Sequence, residues 1–177
     1  MQYPGLSLLW QRTQRDNRRN PLSAEAKIKE LNLDLSHPPT PLGNYVEAVQ
    51  TGNLVFLAGH GPRGAGPDGK WLNGKLGADM TVEQGYEAAR LTGIGLLSTL
   101  RHEIGDLDRV TRIVKALCMV NATPDFEQHP AVVNGFSDLM AEVFGDRGRH
   151  ARSAVGMQSL PNNIPFEAEM IVEVAPE

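Results

Sequence analysis

Apolar and polar side chains alternate without a break from residue 166 to 174. Phe166, Ala168, Met170, Val172 and Val174 fall on one face, and Glu167, Glu169, Ile171 and Glu173 on the other. A two-residue period is that of a strand with one buried side. Residues 152–160 form the strand before it, and Pro161-Asn162-Asn163 supplies the turn chemistry between them. The pair is therefore predicted to be a hairpin. Upstream, residues 45–50 and 54–58 make two more strands about Thr51-Gly52-Asn53, a short turn. Thr81-Val82-Glu83-Gln84 is a capping box. It opens a helix to about residue 103, with Val82, Tyr86, Ala89, Gly93, Leu97, Leu100 and Ile104 along one stripe and Gly105 as its stop. Gly93 and Gly95 would let that helix pack closely on a sheet. Residues 109–121 form a long strand that is apolar on both faces: Val114, Ala116, Cys118 and Val120 on one, Ile113, Leu117 and Met119 on the other. Pro130 starts a second long helix, with Val132, Val133, Phe136, Leu139, Met140 and Val143 inward and Gly145 as its end.

The predicted order is β-β-α-β-α-β-β, an α+β fold in which two helices cover one face of a sheet. The strands at 54–58 and 113–119 are apolar on both sides, so the second face needs a cover. Another copy of the chain is the simplest one, which predicts a homo-oligomer. The segment 59–77 holds seven glycines and two prolines in nineteen residues, with Pro67-Asp68-Gly69 as its tightest turn. It lacks the Gly-Lys-Ser/Thr ending of a P-loop and any GxGxxG before a helix, so it is a hairpin loop and not a phosphate cradle. Residues 1–38 carry Arg12, Arg15, Arg18 and Arg19, and Pro21 and Pro38 interrupt any long element. They are assigned to a partly flexible N-terminal arm, in preference to a transit peptide, with the domain proper at 39–177. Within the arm, 23–33 forms a short helix, with Ser23 as its cap and Ala24, Ile28 and Leu31 on one side.

Composition narrows the function. The chain has 177 residues and a formal net charge of −4, which does not suit a surface that must neutralise phosphates. No apolar run approaches the ~20 residues that cross a bilayer. One cysteine, Cys118, has no internal disulfide partner. That suits a reducing compartment, and a cytoplasmic location is the expectation. The histidines at 37, 60, 102, 129 and 150 show no metal-pair spacing on one element. Ser153 lacks the G-x-S-x-G setting of a nucleophile. The predicted hairpin brings Arg152 and Glu167 into one neighbourhood. An Arg can grip a carboxylate through two parallel hydrogen bonds, and a Glu can move protons. From spacing alone, a plain cross-strand ion pair is the favoured account of those two.

Four strings carry a resemblance: GNYVEAVQTGNLVFLAGHGP, GDLDRVTRIVKALCMVNATPDF, VVNGFSDLMAEVFG and ARSAVGMQSLPNNIPFEAEMIVEV. They resemble the Rid family of reactive-intermediate deaminases, also called YjgF or L-PSP, in a longer branch marked by GRHARSAVG. The resemblance implies a chorismate-mutase-like fold, a homotrimer around a central barrel of sheets, and ligand clefts between subunits. It implies hydrolysis of enamines and imines such as 2-aminoacrylate to a keto acid and ammonia, with no cofactor and no metal. Carried over by position, Arg152 would hold the substrate carboxylate and Glu167 would activate water. Tyr45 and Asn134 would line the cleft, with Gly59 at the strand end beside it. Three positions depart from the usual pattern: Ala58 stands where many members have Ser, His60 where they have Gln, and Ala154 where they have Cys. His60 is either a second proton carrier or a hydrogen-bonding residue at a loop entrance, the latter being favoured. Competing functions are a non-catalytic small-ligand-binding or chaperone-like trimer, and an endoribonuclease. Keeping both Arg152 and Glu167 favours the enzyme; acidic charge counts against the nuclease.

Overall fold

The computed structural model describes residues 23–62 and 72–176. The predicted turn at 67–69 and the arginine cluster at 12–19 lie outside the described residues. Three helices and five strands follow one another as α1 (Ala24–Glu30), β1 (Ala48–Thr51), β2 (Leu54–His60), α2 (Val82–Ile104), β3 (Val110–Asn121), α3 (His129–Phe144), β4 (Ala151–Met157) and β5 (Phe166–Val174). The strands form one sheet in the order β1-β2-β5-β3-β4. Neighbours run antiparallel, except that β3 and β4 are parallel. This is a mixed α+β fold built on one five-stranded sheet.

Local signals act as their chemistry dictates. Thr81 Oγ1 accepts from the Gln84 amide at 3.3 Å while Gln84 Oε1 accepts from the Thr81 amide at 2.9 Å, a complete capping box. Gly105 (φ +82°) closes α2 and Gly145 (φ +60°) closes α3, in the left-handed region that disfavours a side chain. Gly52 (φ +58°) turns β1 into β2. Phe166, Ala168, Met170, Val172 and Val174 are all buried, on the side of β5 that packs on α2, as alternation requires. Gly93 of α2 faces Leu139 and Phe136 of α3, not the sheet, and a Cβ on Gly135 would overlap the Tyr86 carbonyl. Glycine thus sets how closely the two long helices approach each other.

Four features differ from expectation. The last two strands do not make a hairpin, because β3 lies between them: Arg152 pairs with Ala116, and Glu167 with Met119. A connection of eight residues can cross a neighbouring strand, and the buried, double-sided β3 takes the interior position. The register of β3 shifts between Ile113 and Lys115. That bulge turns Ile113 to the core with Ala116, Cys118 and Val120, and leaves Val114 36% exposed. Tyr45 precedes β1 instead of starting it. Finally, α1 packs on the domain. Ser23 caps it, Ala24, Ile28 and Leu35 join the core, and Glu25 Oε1 accepts from the Leu107 amide at 3.2 Å and pairs with Arg101 at 3.1 Å. Part of the segment assigned to the arm is therefore structural.

Among the described residues, no helix covers the other face of the sheet. Phe56 is 40% exposed there, and Leu117, Met119 and Ile171 are half-buried. Among the described residues, no helix is long and apolar enough to cross a membrane.

Candidate functional site

Four of the residues singled out in the sequence converge. Tyr45, Gly59, His60 and Glu167 line a cavity of about 280 Å³ together with Thr40, Glu47, Pro161, Asn162 and Ile164. Glu167, the second residue of β5, projects onto the side away from the helices, since Phe166 and Ala168 take the buried side. Its neighbour across the sheet is Gly59 at the bulged end of β2, where a Cβ would collide with the Glu167 carboxylate. Glycine at 59 is thus what makes room for that carboxyl group. Burial, and secondarily the charge of Glu169, push the Glu167 carboxyl above the usual carboxylate range. A carboxyl so placed takes up and releases a proton more readily near neutral pH than a solvated one.

His60 lies beneath this cavity, only 4% exposed. Nδ1 sits 2.8 Å from the Ala58 carbonyl and Nε2 2.8 Å from Thr99 Oγ1. A carbonyl only accepts, so Nδ1 carries the hydrogen and Nε2 of the neutral ring accepts from Thr99. Burial holds its pKa below the ordinary value, against the pull of the Ala58 carbonyl and of Glu47, whose Oε2 is 3.6 Å away. With both nitrogens engaged, His60 is a hydrogen-bonding member of the wall. Ala58 contributes backbone only, its amide donating to the Glu47 carbonyl at 2.9 Å.

The turn wall of the cavity is anchored from below. Buried Asn121 donates to Asn163 Oδ1 at 2.9 Å and to the Gly74 carbonyl at 3.1 Å, and accepts from Lys75 Nζ at 2.7 Å. Asn162 and Asn163 both take positive φ, at 54° and 53°, a conformation that asparagine tolerates. The chain's own strand alternation concealed Asn121, since it reads as one more residue of an apolar strand.

Arg152 and Asn134 lie elsewhere. Arg152 shares the helix side of the sheet with its pair partner Ala116, while Glu167 projects from the opposite face two strands away. Its guanidinium donates from Nη1 to Ser137 Oγ at 2.8 Å, and from Nη2 to Asn134 Oδ1 at 2.9 Å and the Pro130 carbonyl at 3.3 Å. These bonds replace the expected ion pair with Glu167. A cleft of about 250 Å³ opens on this head, lined by Ser137, Asp138, Arg149 and His150 among others. Ala154, next on the same side of β4, pairs with Cys118 and packs on the core. Burial drives the Cys118 thiol up to about 12, so it is inert core. Glu47, Ser137 and His150 carried no motif. All three lie inside the strings that carry the family resemblance, but nothing in those strings singled them out.

The candidate residues therefore fall in two separate places, the cavity around Glu167 and the cleft around Arg152 at the β4 edge. Comparison with known proteins gives this arrangement a lineage. Residues 25–172 match the family described as "YjgF/chorismate mutase-like, putative endoribonuclease". Protein TCP17 of Trypanosoma cruzi is 39% identical over 150 residues, 84% of this chain and 92% of that protein. The crystal structure of Atu1372 from Agrobacterium tumefaciens, a protein of unknown function, superposes with a TM-score of 0.75 at 36% identity, covering 86% of this chain and 94% of that one. A Shewanella oneidensis protein that carries an endoribonuclease name superposes with a TM-score of 0.80 at 31% identity, over 86% and 99% of the two chains. Sequence and fold agree over the same span, and the chain belongs to the YjgF/chorismate mutase-like family.

Proposed function

We propose that the protein is an enamine/imine deaminase, hydrolysing small imino acids of the 2-aminoacrylate type to a keto acid and ammonia. The observation that carries this reading is the Glu167 carboxyl, raised by burial inside a cavity that Gly59 keeps open for it. The enamine first tautomerises to an imine, gaining a proton on carbon and losing one from nitrogen. Glu167 then takes a proton from water as the oxygen attacks the imine carbon. Returning that proton to nitrogen completes the carbinolamine, and transfer of its hydroxyl proton to the amino group, again by way of Glu167, expels ammonia as the carbonyl forms. Holding water and imine together beside the base supplies much of the rate. The carboxylate of the substrate is gripped by Arg152, whose planar fork Asn134 and Ser137 orient.

Because Arg152 and Glu167 occupy opposite faces of one sheet, the complete site draws on two copies of the chain. The exposed apolar face around Phe56, Val114 and Ile171 supports such an assembly. A homotrimer, with Arg152 of one protomer facing the acidic cavity of the next, meets this requirement.

The test is 2-aminoacrylate generated in situ, with ammonia and pyruvate release followed in wild type, Glu167→Gln and Arg152→Lys. Glu167→Gln is expected to lose roughly 10²–10⁴-fold in turnover while still binding pyruvate, and Arg152→Lys to lose most activity on carboxylate substrates. Wild-type rates in both variants would sink the assignment. No acceleration by the wild type over several imino acids would favour a binding-only trimer, and cleavage in a parallel RNA control would favour the nuclease.

A further inference from the structure

One hydrogen-bonded chain behind Arg152 has a polarity that only one arrangement of protons satisfies. His150 Nδ1 is 2.7 Å from the Gly148 carbonyl, and its Nε2 is 3.2 Å from Ser137 Oγ, which is itself 2.8 Å from Arg152 Nη1. The carbonyl can only accept, so Nδ1 of His150 carries the hydrogen and Nε2 of the neutral ring is an acceptor. Ser137 must then give its hydroxyl hydrogen to Nε2. That turns the oxygen lone pairs toward Arg152, which can only donate.

Each link is held in place by packing. Phe136, fully buried in α3, meets the His150 ring edge-on at 5.4 Å and 74°. Gly148 approaches α3 so closely that a Cβ there would overlap the Met140 carbonyl, so only glycine lets residue 148 present its own carbonyl to the ring. Burial holds the His150 ring below the ordinary histidine range, against the pull of the Gly148 carbonyl, and the Arg152 and Lys115 charges nearby add to the effect of burial, which favours the neutral ring. The other charged groups on the same cleft are Asp138 and Arg149.

We propose that Ser137 and His150 are positioning residues that lock the Arg152 guanidinium in the orientation for a planar carboxylate, and so set the preference of the site for acidic ligands. This rests on the reading of Arg152 as the carboxylate clamp. An unheld arginine samples many rotamers and loses binding free energy in being ordered. Here the ordering is done before the ligand arrives.

The experiment measures binding of pyruvate and of pyruvamide, its uncharged isostere, by calorimetry to the full-length protein. The variants are Ser137→Ala, His150→Asn (which can still reach the Gly148 carbonyl but lacks the Nε2 acceptor), Ser137→Thr and Arg152→Lys. Wild type is expected to prefer pyruvate. Ser137→Ala and His150→Asn should each cut that preference roughly tenfold, the value of a charge-assisted hydrogen bond. Pyruvamide affinity should hold, and Ser137→Thr should restore the preference. A role in stability alone would weaken both ligands together, in step with a lower Tm, and would overturn the proposal. If Arg152→Lys abolishes the preference while Ser137→Ala and His150→Asn keep it, the relay is refuted and the clamp survives. If wild type shows no preference, or Arg152→Lys leaves it intact, the clamp itself is wrong and the relay falls with it.

Discussion

Among single residues, Glu167 is the one whose environment most directly predicts behaviour. Its folded pKa is raised, chiefly by burial and then by Glu169. A base must be ionised to act, so activity should rise with pH through that raised value and not through the ordinary carboxylate one. Glu167→Gln should erase this acid limb from the profile of kcat/KM. Linkage gives an independent check. An acid whose folded pKa lies above its unfolded pKa contributes its stability fully below the unfolded value and loses it as pH rises through the folded one. The Tm of Glu167→Gln relative to wild type should therefore improve as pH rises from about 4, the ordinary carboxylate value, through the raised folded one. A difference independent of pH would show that the carboxyl is not perturbed. Gly59 belongs to the same account, because the space it leaves is what allows a carboxylate to be half-buried there.

Elements decide what is structural, and α1 is the case in point. Its residues Ala24 and Ile28, with Leu35 after it, are buried in the common core. Ser98 Oγ donates to the Leu35 carbonyl at 3.0 Å, and the Glu25 carboxylate serves both the Leu107 amide and Arg101. Deleting residues 1–36 should therefore lower stability by at least about 3 kcal/mol, since losing one buried Ile or Leu side chain costs 2–5 kcal/mol. A urea melt of the truncated chain measures this. An unchanged midpoint would show that the segment is a dispensable arm after all. The helix was legible from Ser23 and the spacing of Ala24 and Ile28. Its docking was not, because seven residues with two buried side chains give too weak a stripe to announce a partner surface.

At the scale of the whole molecule, the sheet separates the two groups of candidate residues, and the proposed catalysis therefore calls for a second copy of the chain. The order β1-β2-β5-β3-β4 puts β4, with Arg152, at one edge and the Glu167 cavity across the opposite face. The uncovered face is mixed: Phe56, Val114, Leu117 and Ile171 lie with Lys115, Ser153 and Glu169, and Lys115 Nζ donates to Ser153 Oγ at 2.8 Å. Light scattering is expected to give about three times the chain mass of 19.3 kDa. A stable monomer at micromolar concentration would remove both the assembly and any site shared between protomers.

Most of the elements, and the buried faces of α3 and β5, were legible in the amino-acid sequence. Alternation over 166–174, the capping box at Thr81 and Gln84, and the stops at Gly105 and Gly145 are local signals, each acting within one turn or one strand, and each stands in the structure as read. The fold class followed from their order, and the strings around Arg152 and Glu167 marked the family. Only the tertiary structure decided which strands are neighbours, and so which side chains meet. Inserting β3 between β4 and β5 parted Arg152 from Glu167, and the bulge at Ile113–Lys115 exchanged Ile113 for Val114 in the core. Strand order and register are set by how distant segments pack against shared helices, and no single segment carries that information in its own period.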